Sequence, residues 1–235
     1  EYSHDRSRSV FKKKDHSISQ SFLSHKEVMM TSINILDFLE HQPFTPSLLL
    51  FAYQTGWFPM ADDETNEIYW HSPMRRAIFP LSTNGPKASL KKEYAKSPWS
   101  FSINTAFSKV IEHCSQRKDT WISQDIITVY SELHDQGYAH SIETYHEGTL
   151  IGGLYGVSIG SAFFGESMFS LTSNASKMAF VHLYNHLISK GFTLLDSQYI
   201  NDHTYSLGAI TVSKTQYLEQ LAQAIQHKHI SFNNK

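Results

Sequence analysis

With 235 residues, 40% of them hydrophobic and 18% charged, the chain has the composition of an ordinary globular protein and ample length to bury a core. A formal net charge of -2 argues against a strongly basic nucleic-acid protein and leaves room only for a local patch, while aromatic residues at 13% suit either core filling or stacking on a planar ligand. The single cysteine, Cys114, excludes an intrachain disulfide; with no apolar run of membrane-spanning length and no secretory leader, a cytoplasmic chain without membrane contact is expected.

Residues 1–30 are polar and carry the basic run Lys12-Lys13-Lys14, a composition expected of a disordered extension. The alternative is a flexible basic arm that holds RNA phosphates. Ile33–Glu40 has apolar residues compatible with a helix or a strand. After Pro43, Thr45 is placed to cap a helix with Pro46 at its first position and Gly56 at its end. Short strands are expected at Ile68–Trp70 and Arg76–Phe79, and a basic helical stretch at Pro86–Ser97 with a solvated face. These segments form a small N-terminal domain over 31–97.

From residue 98 onward a larger domain is expected to run to 235. Trp99–Ile103 reads as a strand, and Asn104 or Thr105 as the cap of a helix reaching about Gln116. Ser123 caps a second helix that Gly137 closes. A meander follows, turned at Glu147-Gly148 and Gly160-Ser161. Ser173 or Asn174 caps an amphipathic helix ending at Gly191, Phe192–Asp196 is a strand, Ser206–Ala209 leads into a further loop and strand, and Thr215–Gln226 is a last helix. The order strand, helix, helix, three-strand meander, helix, strand, helix is that of an α+β, acetyltransferase-like (GNAT-type) domain with a mixed sheet.

Several familiar constellations are absent: no Walker loop, no G-x-S-x-G and no cysteine pair for zinc. His182 and His186 have the spacing of helical metal ligands, but the residues between them lack the metalloprotease glutamate, so no metal is expected. Cys114 reads as a packing residue. The glycines of Gly152-Gly153-Leu154-Tyr155-Gly156 run into another strand and offer no helix N-terminus to a phosphate, so close strand packing and a bulge are favoured over a cofactor cradle. Glu166 lies among Phe163, Phe164, Met168 and Phe169; it either faces solvent or meets a cation. Asp196 and Gln198, two positions apart at a strand end, share a face, and Asp196 serves there as a cap or as a partner of Gln198.

The blocks Tyr69-Trp70-His71-Ser72-Pro73, Thr120-Trp121-Ile122, Leu133–Ser141, Gly152–Val157, Phe163–Ser170, Asn174-Ala175-Ser176-Lys177, Asp196-Ser197-Gln198 and Ser206–Ala209 resemble, in order, those of leucyl/phenylalanyl-tRNA–protein transferases. The resemblance implies transfer of Leu, Phe or sometimes Met from aminoacyl-tRNA to proteins with N-terminal Arg or Lys, marking them for N-degron proteolysis. It implies an aminoacyltransferase with no metal and no CoA or other cofactor; a monomer is expected. On the same footing, Gln198 orients the attacking amine, Asp196 polarises Gln198, and Glu166 faces the cationic acceptor. Trp70, Trp121, Phe163, Ser167 and Met168 would then surround the aminoacylated 3′ end.

The chain departs from the family in lacking the usual Gly-Gly-Asp-Leu-Ser-Pro block before the first helix, in Gln54-Thr55 where a basic pair is usual, and in Ser197 where Cys is common. Two other classes remain open: an aminoacyl-tRNA-dependent transferase with a different amine acceptor, and a non-catalytic GNAT-like module that binds RNA or protein ends.

Overall fold

The computed structural model describes residues 34–62, 64–82, 85–117 and 120–233. The chain divides into two compact units, 1–38 and 39–235. The extension expected over 1–30 lies outside the described residues, and Ile35–Glu40 is a helix, α1. Everything below concerns residues 39–235.

Thr45 accepts the Leu48 N–H at 3.2 Å and opens α2 (Pro46–Gln54), with Pro46 in the first turn where its missing N–H costs nothing. Strands β1 (Phe58–Ala61) and β2 (Ile68–His71) form a two-stranded antiparallel ribbon. Sequence reading missed β1, because a four-residue strand containing Pro59 has no alternation to betray it.

The main sheet has the order β4-β5-β6-β7-β8-β3-β9. Its strands are β3 (Arg75–Phe79), β4 (Ser100–Ile103), β5 (Ala139–His146), β6 (Thr149–Ile159), β7 (Ala162–Ser170), β8 (Leu194–Asp196) and β9 (Ile210–Ser213). All neighbours are antiparallel except β7 and β8. Strand β3 precedes residue 98 in the chain yet sits between β8 and β9, so the large sheet draws one of its strands from the N-terminal segment. The remaining helices are α3 (Ala88–Lys96), α4 (Phe107–Ser115), α5 (Gln124–Asp135), α6 (Ala175–Lys190), α7 (Asp202–Leu207) and α8 (Lys214–Ala224). The meander is turned at Glu147-Gly148 and Gly160 with positive φ, as their sequence predicts.

Helices α4 and α6 cover opposite faces of the sheet, and the glycines of β6 let them approach. A Cβ on Gly152 would lie 2.5 Å from Ala175 in α6; one on its neighbour Gly153, facing the other way, would meet Val110 in α4 at 3.2 Å. The α6 side holds the main apolar core, with Leu154, Phe163, Met178, Phe180, Leu183, Leu187 and Leu195 buried together. Each fully buried side chain of this size contributes roughly 1.5–3 kcal/mol. Among the described residues no helix is long and apolar enough to cross a membrane.

Several expectations need correction. Neither Asn104 nor Thr105 caps α4: Asn104 takes φ +59° and binds the Ser141 N–H through its side chain, and Glu143 accepts the Ala106 N–H at 3.3 Å instead. Asn174 does stand before α6, but at φ +66° its side chain donates to Glu93 and does not cap. Ser206 and Leu207, expected to begin a loop, instead end α7, which is short, polar and opened by a capping box of Asn201 with Thr204.

Candidate active site

Strands β7 and β8 are in register only from Ala162↔Leu194 to Phe164↔Asp196. Beyond that point the parallel strands part, and a cavity of about 900 Å³ is lined by Gly165 to Ser170 on one side and Asp196 to Tyr199 on the other. A β-bulge adds to the divergence: Tyr155 pairs with Ser167 and Gly156 with Gly165, which leaves Glu166 as the extra residue. A bulge re-aims a side chain, and here it directs the carboxylate into the cavity wall.

Asp196 is fully buried and so is its partner, Arg76. Removing two ions from water costs several kcal/mol per ion, which only close and complete pairing offsets. The pairing is bidentate: Arg76 Nε donates to Oδ1 at 2.9 Å and Nη2 to Oδ2 at 2.7 Å. Tyr217 adds its hydroxyl to Oδ2 at 2.7 Å, and the third guanidinium nitrogen, Nη1, donates to the Gly56 carbonyl at 3.3 Å. The guanidinium also lies 4.4 Å from the ring centre of Phe58 and 4.6 Å from that of Tyr217. Burial works against the Arg76 charge, but Asp196, Tyr217 and Glu166 together more than offset it, and the net shift is upward.

The remaining Asp196 contact organises Gln198. Its Oδ1 accepts the Gln198 backbone N–H at 2.9 Å. Gln198 has φ +56°, a left-handed conformation that a side chain disfavours by about 1–2 kcal/mol. The strand ends at Asp196, so the two residues are related by this turn and not by strand alternation. Asp196 therefore reaches Gln198 through the backbone; the side-chain amide is held by Glu166, whose Oε1 accepts from Gln198 Nε2 at 2.8 Å. Glu166 Oε2 accepts from the Tyr130 hydroxyl at 3.0 Å, and Tyr130 is hydrogen-bonded in turn to Tyr53. Burial raises the Glu166 carboxyl to about 7, even though the Tyr53 and Tyr130 hydroxyls pull it down. Burial raises both phenols well above their ordinary range, so they act as donors. The partners of Glu166 among the described residues are thus an amide and a phenol, where sequence reading allowed only solvent or a cation.

Gln198, Asp196, Glu166, Ser167, Met168 and Trp121 all line the cavity. Trp70 and Phe163 do not. Trp70 is buried on β2 with its ring centre 5.9 Å from that of Phe44, and Phe163 is fully buried beneath Gly156, 5.2 Å from Phe232. Phe58 and Met60 of β1 and the exposed Tyr199 line the cavity where Trp70 was expected. Arg76, Tyr130 and Tyr217 were missed, although an arginine in the apolar run Ala77-Ile78-Phe79 was a readable sign of a buried acidic partner. Cys114 is buried, its thiol pushed up to about 12, chiefly by burial. His182 and His186 bond to the Tyr94 hydroxyl and the Phe232 carbonyl, and no metal-binding cluster occurs among the described residues.

A strand, two helices, a meander and a crossover to a parallel strand give an acetyltransferase-like (GNAT-type) fold, with a cavity where the two parallel strands part. Residues 42–74 match the leucyl/phenylalanyl-tRNA protein transferase N-terminal domain and residues 78–222 match the leucyl/phenylalanyl-tRNA protein transferase domain. The chain belongs to this family of aminoacyltransferases. It is 48% identical over 181 residues to the leucyl/phenylalanyl-tRNA–protein transferase of Salinibacter ruber, covering 77% of this chain and 80% of that one. It is 44% identical over 184 residues to the enzyme of the same name from Pelodictyon phaeoclathratiforme, covering 77% and 95%. Among solved structures, a GCN5-related N-acetyltransferase-like protein from Streptococcus suis aligns at a TM-score of 0.36 and 11% identity, over 71% of this chain and 64% of that one; so distant a likeness carries no weight in the assignment.

Proposed function

We propose that the protein transfers leucine or phenylalanine from aminoacyl-tRNA to the α-amine of proteins beginning with Arg or Lys, and that the product is marked for N-degron proteolysis. One observation carries this reading: an apolar recess and a carboxylate–amide pair face the same cavity. Leu154, Phe180, Leu183 and Leu195 supply the recess, which suits a leucine or phenylalanine side chain, and Gln198 with Glu166 supplies the polar wall.

The chemistry needs no nucleophile from the protein. The aminoacyl ester is already activated; the acceptor nitrogen forms a bond to the ester carbonyl carbon, and the ribose oxygen leaves with its bonding pair. Positioning supplies much of the acceleration in such a reaction. Gln198 gives its amide N–H to Glu166 and has Oε1 without a partner among the described residues, so the carbonyl is available to accept a hydrogen bond from the attacking amine. A neutral amide is a very weak base, and the proton released from nitrogen passes to water or to the departing ribose oxygen. Glu166 supplies the countercharge for the cationic acceptor. Asp196 and Arg76 act from below by fixing the turn that presents Gln198. Trp121, with Met60 and Tyr199, offers the apolar and stacking surface for the terminal adenosine.

Every group in this scheme lies within residues 39–235, so one chain suffices, and charged tRNA as donor puts the work in the cytoplasm. Incubation with labelled leucyl-tRNA and an Arg-starting peptide is expected to move label into the peptide. Absence of label, in the presence of a competent control enzyme, would sink the reading.

A further inference from the structure

Three basic side chains line the cavity, and among the described residues none of them is paired with a carboxylate. Arg117, which follows α4, rests Nη1 on Ser167 Oγ at 3.2 Å and on the Met168 carbonyl at 3.4 Å. Lys177 lies in the first turn of α6, and His203 of α7 brings Nε2 to 3.0 Å from Met168 Sδ. All three side chains line the cavity. Burial, and then the charges of Lys177 and Arg117, hold His203 below the ordinary histidine range, so His203 sits in the field of both. Among the described residues the one side-chain ion pair is Arg76–Asp196, and neither Arg117 nor Lys177 has a carboxylate within reach.

Like charges gathered without a counter-ion repel one another, and an anion seated among them removes that cost. The start of α6, a 16-residue helix, adds the positive end of its dipole on the same side. Glu166 lines the same cavity next to Ser167, and Asp196 is buried against Arg76.

We propose that Arg117, Lys177 and His203 form a subsite for a phosphate of the single-stranded end of the aminoacyl-tRNA. It holds the phosphate on the 5′ side of the terminal adenosine and so fixes how far the ester reaches toward Gln198. This inference rests on the transferase reading for its ligand, but the subsite can be tested without turnover.

Calorimetric binding of adenosine 5′-monophosphate and of adenosine to the full chain separates the phosphate from the nucleoside. The wild-type protein is expected to bind the monophosphate about tenfold more tightly, the gain of one charge-assisted contact. Arg117→Ala and Lys177→Ala should each remove most of that gain and leave adenosine affinity unchanged, which also shows that the variants are folded. Equal affinity of the wild-type protein for the two ligands would overturn the subsite, as would variants that weaken both ligands alike. Failure of label transfer from leucyl-tRNA by the wild-type protein is a separate result and bears on the transferase reading alone.

Discussion

The side-chain amide of Gln198 donates to Glu166 Oε1 at 2.8 Å, and this contact sets which end of the amide the cavity receives. With Nε2 committed to the carboxylate, Oε1 is the end left for the attacking amine. Glu166→Ala removes both the anchor and the countercharge. It is expected to raise the KM for an Arg-starting peptide far more than the KM for leucyl-tRNA. Gln198→Ala should lower kcat about 100-fold, the scale of a misplaced reactant. Equal effects of Glu166→Ala on both substrates would contradict the assignment.

The same carboxylate predicts a pH dependence. Its ordinary value of 4.5 rises to about 7 in the fold, chiefly through burial. Ionised Glu166 accepts from Gln198 and Tyr130 together, so kcat/KM for the peptide should climb with an inflection near pH 7. Ionisation of the acceptor amine, at about 7.7–8, adds a second rise that does not depend on Glu166. Glu166→Gln should abolish the first inflection and keep the second. Stability runs the other way. Between pH 4.5 and 7 the folded protein holds a proton that the unfolded chain has released, so this group's contribution is lost as pH rises through that window. Denaturant titrations of wild type against Glu166→Gln measure it.

Arg76→Met leaves Asp196 buried without its counter-ion. A loss of about 3–5 kcal/mol is expected, seen as a fall in the urea midpoint. Arg76→Lys should recover little of it, since an ammonium cannot supply the two parallel contacts or lie flat between Phe58 and Tyr217. A wild-type midpoint in either variant would show that the pair is not needed to hold the turn before Gln198.

Two glycines near the bulge should respond unequally to alanine. A Cβ on Gly156 would lie 2.2 Å from the Phe164 carbonyl and 2.5 Å from the Phe163 ring, whereas one on Gly165 meets nothing closer than the Asp196 carbonyl at 3.5 Å. Gly156→Ala is expected to cost about 1–3 kcal/mol or more, and Gly165→Ala much less, by thermal melting.

How far the sequence could be read follows from these residues. The meander was legible because its turns need positive φ and carry glycines that tolerate it, α2 and α5 because capping side chains and apolar stripes mark them, and α6 because an apolar stripe runs to Gly191 at its end. Strand β1 and α7 are too short for periodicity to register. Glu166 and the Asp196/Gln198 pair stood out by charge or polarity in apolar surroundings. Their partners did not, since Arg76, Tyr130 and Tyr217 come from β3, α5 and α8, brought together only by the sheet order and the packing of helices upon it. That Trp70 and Phe163 lie off the cavity lining was illegible for a related reason: an aromatic residue in a matching block carries no mark of whether its ring faces the cavity or the core.

The most direct measurement is mass spectrometry of acceptor peptides after incubation with leucyl-tRNA. The expected result is a single leucyl addition at the α-amine of peptides beginning with Arg or Lys, none on an Asp-starting peptide, and none when the Arg-starting peptide is N-acetylated. Addition indifferent to the first residue, or no addition while a control enzyme modifies the same peptides, would contradict the assignment of Glu166 and Gln198 to a cationic amine acceptor.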